Sequence, residues 1–268
     1  MAYSVKHEQR FYYCEEGKGE AIVLLHGLFG ALSNFNDLVT YFKPNYNVTI
    51  PLLPLYELEL DDTTVTGMVD YIEQFVDYKN FDKVHLIGNS LGGHIAQLYA
   101  LRKPEKIKSI TLTGSSGLFE SSLGDTYPRK SDYEYIRKKT EATFYRPKFA
   151  TKELADEVFE IVNNRAKAIR LVVMAKSALR HNLRNEIPTI TAPVCLIWGK
   201  NDTITPAFVG EEFQKLLPNA ELHLINECGH APMMEHPAEF NKIVAQFLNK
   251  VMTEVWQTIL NHFLFLFV

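Results

Sequence analysis

Ser90 stands in Gly88-Asn89-Ser90-Leu91-Gly92, a G-x-S-x-G pattern between the apolar run Val84–Ile87 and a helix-like stretch, Leu91 to Leu101. A serine on such a sharp strand-to-helix turn holds its hydroxyl clear of the backbone, and the free N–H groups of the helix start point at it. The alternative is a loop serine that merely caps a helix. A serine hydroxyl is a weak nucleophile without a base. Of nine histidines, His230 is the best placed, on the glycine-bearing turn Glu227-Cys228-Gly229-His230-Ala231-Pro232 after the last strand-like run. His94 and His26 read as packing or bracing groups, His181 and His236 as surface groups.

The base in turn needs an acid to fix its tautomer. Asp202 follows the run Val194–Trp198 in Trp198-Gly199-Lys200-Asn201-Asp202, 112 residues after Ser90 and 28 before His230. Glu120 and Asp125 are the fallback acids. Acyl transfer also requires donors for a developing oxyanion. The Leu91 amide is one, and the loop His26-Gly27-Leu28-Phe29-Gly30 offers the second, with Leu28 preferred over Phe29. Phe29 and Asn89 are the candidate substrate-binding side chains.

The elements that must position these groups are legible as an alternation. Ala21–Leu25, Val48–Pro51, Val84–Ile87, Ile107–Leu112, Val194–Trp198 and Glu221–Ile225 read as strands. Val65–Tyr78, Leu91–Leu101, Phe208–Leu217 and Pro237–Val251 read as helices. This predicts an α/β fold with a doubly wound, mostly parallel sheet. Strand signals vanish from 118 to 187. That segment carries 14 Lys+Arg and 10 Asp+Glu, a net of +4, against 14 and 22 in the remainder. The expected organisation is a core of 1–117 and 188–251, an inserted helical lid at 118–187, and an apolar C-terminal extension at 252–268.

The 268 residues suffice for one large domain, and 46% of them are hydrophobic. A net charge of −4 gives no basic footprint for nucleic acid. Cys14, Cys195 and Cys228 are too few and scattered for a disulfide framework or metal cluster, and read as buried thiols in a reducing, cytoplasmic setting. The polar start argues against a secretory signal, and no window makes a clean membrane span. The tail from Glu254, with Val255, Trp256, Ile259, Leu260 and Phe263 at helical spacing, reads as a packing or homodimer element.

Four motifs in this order (His26-Gly27 with its loop, Gly88 to Gly93, Gly199 to Asp202, and Gly229-His230) resemble the α/β-hydrolase superfamily. The resemblance implies a lidded hydrolase with a serine triad, no cofactor and a small-molecule substrate. The oxyanion loop looks like that of small-acyl esterases. Gly88 to His94 and Cys228-Gly229-His230 with Glu235-His236 look like the meta-cleavage-product hydrolases, which cut carbon–carbon bonds in vinylogous diketo acids. Ala231 departs from the latter, which usually carry tryptophan there, and Pro51 to Tyr56 lacks the Asp and glycine-rich turn of many relatives. The resulting expectation is a carboxylic-ester hydrolase. The alternatives are a carbon–carbon hydrolase and a non-catalytic ligand receptor. The lid arginines Arg129, Arg137, Arg146, Arg165, Arg170 and Arg180 are candidates for holding an anionic substrate.

Overall fold

A computed structural model describes the backbone of residues 4–30, 32–119 and 129–265, and side chains as far as 253. The elements run β1 (Lys6–Glu8), β2 (Phe11–Glu16), β3 (Glu20–Leu25), α1 (Asn36–Phe42), β4 (Tyr46–Pro51), α2 (Val65–Tyr78), β5 (Val84–Asn89), α3 (Leu91–Arg102) and β6 (Ile107–Thr113). They continue with α4 (Tyr133–Glu141), α5 (Lys152–Asn163), α6 (Arg165–Arg180), β7 (Val194–Gly199), α7 (Ala207–Leu216), β8 (Ala220–Ile225), α8 (Pro232–Glu235) and α9 (Pro237–Phe265).

The strands form one eight-stranded sheet in the order β1-β2-β4-β3-β5-β6-β7-β8. From β4 to β8 all pairings are parallel, while β1 and β2 add an antiparallel edge. The central strands β5 and β7 are buried along their whole length. This is why they read as unbroken apolar runs rather than alternating ones. One apolar layer joins the sheet to α2, α3 and α7 through Met68, Ile72, Ile95 and Phe213. The other joins it to α1 and α9 through Leu38, Phe42, Phe240 and Val244. The expected α/β class is therefore what the chain adopts. β1, β2 and α1 add to the elements the sequence signalled.

Between β6 and β7 the described residues hold helices and no strand, with α4, α5 and α6 as the main elements. Their N-caps are Asp132, Thr151 and Asn164, each accepting from an amide in the first turn. The segment has a small apolar centre of Ile136, Val158 and Val162, against which Phe29 packs. α9, expected to end at Val251, continues without a break to Phe265. Among the described residues no helix is long and apolar enough to cross a membrane. The packing and homodimer reading of the tail concerns side chains outside the described residues. So do the fallback acids Glu120 and Asp125.

Candidate active site

Ser90 sits between the last residue of β5 and the first of α3, with φ 56 and ψ −119. A non-glycine residue in this region is strained, and such strain persists only where the surroundings hold it. Here the Ser90 amide donates to the Thr113 carbonyl at 3.1 Å, and the Ser116 amide donates to the Ser90 carbonyl at 3.2 Å. The close packing demands glycine at one neighbour in particular: a Cβ on Gly92 would collide with the Leu25 carbonyl oxygen. Gly92 is thus set by the approach of β3 to the helix start, and Gly88 by the backbone of Gly92 and Gly93.

The loops after β7 and β8 bring Asp202 and His230 together. His230 Nδ1 lies 2.9 Å from Asp202 Oδ2, with both side chains almost fully buried. The Asp202 carboxylate also accepts from the Ile204 amide at 2.8 Å, the Thr205 amide at 2.9 Å and the Thr205 hydroxyl at 3.0 Å. Four donors on one buried carboxylate fix its orientation. The two loops are also stitched by main chain, since Lys200 N donates to Ile225 O and Asn201 N to Cys228 O, both at 2.9 Å. Gly114 takes φ +50 beside the base, and a Cβ there would stand 2.8 Å from His230 Nδ1. A larger residue would be strained in its backbone and would press on the imidazole.

His26 braces the loop that follows β3. Its Nδ1 is 2.8 Å from the Gly27 carbonyl, and its Nε2 is 3.2 Å from the Leu53 amide. The second contact requires Nε2 to accept, so the ring is neutral with its proton on Nδ1. Burial pushes its pKa down accordingly. The Pro51–Tyr56 segment, unusual in sequence, therefore supports this loop: Leu53 through His26, and Tyr56 by donating from its hydroxyl to the Leu28 carbonyl at 3.3 Å. Leu28 is buried in this loop and Leu91 opens α3; Gly27, just before Leu28, packs so closely that a Cβ there would stand 3.2 Å from Ser90 Cβ.

Asn89 requires a correction. It was a candidate substrate contact, but its side chain is 5% exposed. It donates to Thr113 O at 3.0 Å and to His230 O at 3.1 Å. Its amide hydrogens are thus committed to the backbone behind the site. Phe29 remains partly exposed, between the oxyanion loop and the helical insertion. The insertion arginines are partly spent within the protein. Arg137 pairs with Glu134 and Glu141, Arg146 with Glu227, and Arg170 donates to the Leu58 carbonyl. A cavity of about 410 Å³ between the start of α2 and the end of α6 is lined by Thr64, Thr66, Val173, Ser177, Arg180 and His181, and includes none of the three catalytic candidates.

Sequence reasoning missed Thr205 and Ser116, and it named Glu235 only as part of a resemblance, without a role. Glu235 is 5% exposed. Its Oε1 accepts from Gly229 N at 2.7 Å, and its Oε2 from Tyr145 N at 2.9 Å and Arg146 N at 3.2 Å. His230 N donates to Thr143 O at 2.9 Å. The loop that carries His230 is thereby latched to the helical insertion. A lone acid in the apolar run Ala231-Pro232-Met233-Met234-Glu235 was the available signal. The three cysteines are free and buried, as expected. Cys195 lies with Glu221 and His223, their ligand atoms all within 4.8 Å of one another. Glu221 there is engaged by Lys250 at 3.1 Å and His223 at 3.2 Å.

The chain belongs to the alpha/beta hydrolase family, whose model matches residues 22–243. It is accordingly a hydrolase. It is 30% identical to a 2-hydroxy-6-oxononadienedioate/2-hydroxy-6-oxononatrienedioate hydrolase of Burkholderia vietnamiensis, over 91% of this chain and 92% of that one. It is 26% identical to the monoacylglycerol lipase ABHD6 of Bos taurus, over 92% and 82%. Among solved structures it resembles MGS-MChE2, an alpha/beta hydrolase enzyme from the metagenome of lagoon sediments at Mar Chica, Morocco. That match has 42% identity and a TM-score of 0.77, over 92% of this chain and 98% of that one.

Proposed function

We propose that the chain hydrolyses a small carboxylic ester through Ser90, His230 and Asp202. The observation that carries this reading is the buried 2.9 Å contact between His230 Nδ1 and Asp202 Oδ2, set beside a serine held at φ 56 on the elbow. Asp202 keeps the His230 proton on Nδ1, which leaves Nε2 as the base. His230 takes the Ser90 proton as Oγ adds to the acyl carbon, and the Leu28 and Leu91 amides receive the oxyanion. The proton passes from His230 to the departing alkoxide, leaving an acyl-serine. Water, deprotonated by His230, then adds to the acyl carbon, and collapse returns the carboxylic acid and Ser90. No cofactor is called for. The helical insertion at 118–187 acts as the lid that shapes the acyl site, with Phe29 at its boundary.

Ser90→Ala should lose about 10⁴-fold or more in kcat on p-nitrophenyl esters, and a fluorophosphonate should label wild-type Ser90. Full activity in the variant would overturn the proposal, and absent labelling of folded protein would favour a non-catalytic receptor. Carbon–carbon cleavage by the same groups is the second reading, favoured by the match to a 2-hydroxy-6-oxononadienedioate hydrolase. Side-by-side kcat/KM on a short ester and a dienol diketo acid separates the two.

A further inference from the structure

The 16 residues of α6 contain five cations, Arg165, Lys167, Arg170, Lys176 and Arg180, and no carboxylate. One face is fastened to the protein. Met174, Ala175 and Ala178 are buried, Arg170 donates to the Leu58 carbonyl, and Ser177 Oγ accepts from Val65 N. The opposite face is exposed and consists of Arg165, Ile169, Val172, Lys176, Leu179 and Arg180. Ile169, Val172 and Leu179 are 43%, 45% and 44% exposed and fall in one row at i, i+3 and i+10. A merely solvated helix face ordinarily carries both signs of charge, which pair at i, i+4. This face instead combines unshielded like charges with branched apolar side chains left in water.

We propose that α6 is a docking surface for an anionic lipid bilayer. Headgroup phosphates meet Arg165, Lys176 and Arg180, while Ile169, Val172 and Leu179 enter the boundary between headgroups and acyl chains. Charge complementarity selects this occupant. A second copy seated face to face would set three cations against three. The insertion is net +4 while the rest of the chain is net −8, so an anionic surface attracts this side of the molecule and repels the other. The inference is independent of the bond being cut.

The test is co-sedimentation of the full chain with vesicles of phosphatidylcholine, alone or with a quarter phosphatidylglycerol, alongside hydrolysis of a water-soluble ester. Binding to the anionic vesicles is expected to exceed that to neutral ones by about tenfold or more, and to fall when salt rises from roughly 0.1 to 0.5 M. Ile169→Ser with Val172→Ser and Leu179→Ser should abolish sedimentation, and Lys176→Glu should separately weaken it several-fold, while soluble-ester turnover is unchanged. Equal binding to neutral vesicles, no binding, or binding that survives both variants overturns the proposal. So does a dimer, seen by light scattering, that the serine variant dissociates, because that result assigns the face to a second copy. Loss of soluble-ester activity in the wild-type chain would count against the proposed reaction and leave the vesicle result standing.

Discussion

The side-chain amide of Asn89 donates to the main-chain carbonyl of His230 at 3.1 Å, so the residue before Ser90 is bonded to the backbone of His230. The contact spans 141 positions of sequence and ties together the elements carrying the two groups that exchange a proton in the proposed reaction. Asn89→Ala leaves the His230 carbonyl without this donor in a buried setting, at about 1–3 kcal/mol, while the Thr113 carbonyl keeps the Ser90 amide. Asn89→Asp should be worse than Ala, because a carboxylate would face two carbonyl oxygens. Both variants should lower kcat more than they raise KM, as measured by steady-state kinetics on a soluble ester.

Thr205 secures the acid. Its hydroxyl donates to Asp202 Oδ2 at 3.0 Å and lies 3.3 Å from His230 Nδ1. Thr205→Val keeps the shape and removes the donor. We expect kcat to fall about tenfold with KM nearly unchanged, and Thr205→Ser to restore most of it, since one charge-assisted hydrogen bond is worth about 1.5–3 kcal/mol. Equal kcat in the valine variant would show that the two amides alone hold Asp202.

Glu235 supports three amides at once, and its loss strands all of them. Glu235→Ala should cost about 3 kcal/mol or more of unfolding free energy, measured by urea denaturation. Glu235→Gln should cost less, because one of its two positions still accepts. Amide hydrogen exchange should rise at Gly229, Tyr145 and Arg146 together in the alanine variant, which distinguishes this latch from a general loosening.

His94 supplies the pH dependence. It is fully buried on α3, and burial, reinforced by the charge of His181, lowers its pKa from 6.5 to about 4. The folded state therefore resists a proton that the unfolded chain accepts. Its contribution to stability is intact above pH 6.5, falls as pH drops toward about 4, and is fully lost below that. The change across the window is on the order of 3 kcal/mol. His94→Leu should flatten this part of the stability curve, as read from urea midpoints at pH 7 and pH 5.

The parallel strands were legible because burial on both faces leaves an uninterrupted apolar signature, and the elbow because a serine between glycines sits at a strand end. α2 was readable to its ends, with Val65, Val69, Ile72 and Val76 on one side. β1 and β2 escaped. β1 is three exposed residues, and β2 mixes buried Phe11, Tyr13 and Cys14 with an exposed Tyr12. α1, seven residues long, is too short to show a period. At the site, Asp202 and His230 could be read from their loops. Thr205, Glu235 and the inward turn of Asn89 could not, because each is defined by partners brought close only by folding. Asn89, a candidate substrate contact by sequence, ends a buried strand and points where the register sends it.

The Glu235 latch limits how this architecture can be recombined. Exchanging the segment between β6 and β7 is an obvious route to a new substrate range. Here that segment also carries the Tyr145 and Arg146 amides and the Thr143 carbonyl, which secure the loop of His230. A transplanted segment that fails to present two consecutive amides and a carbonyl at those points would change the pocket and unfasten the base together. Segments that preserve this short stretch can diverge elsewhere, so inheritance of the helices is decoupled from inheritance of the joint.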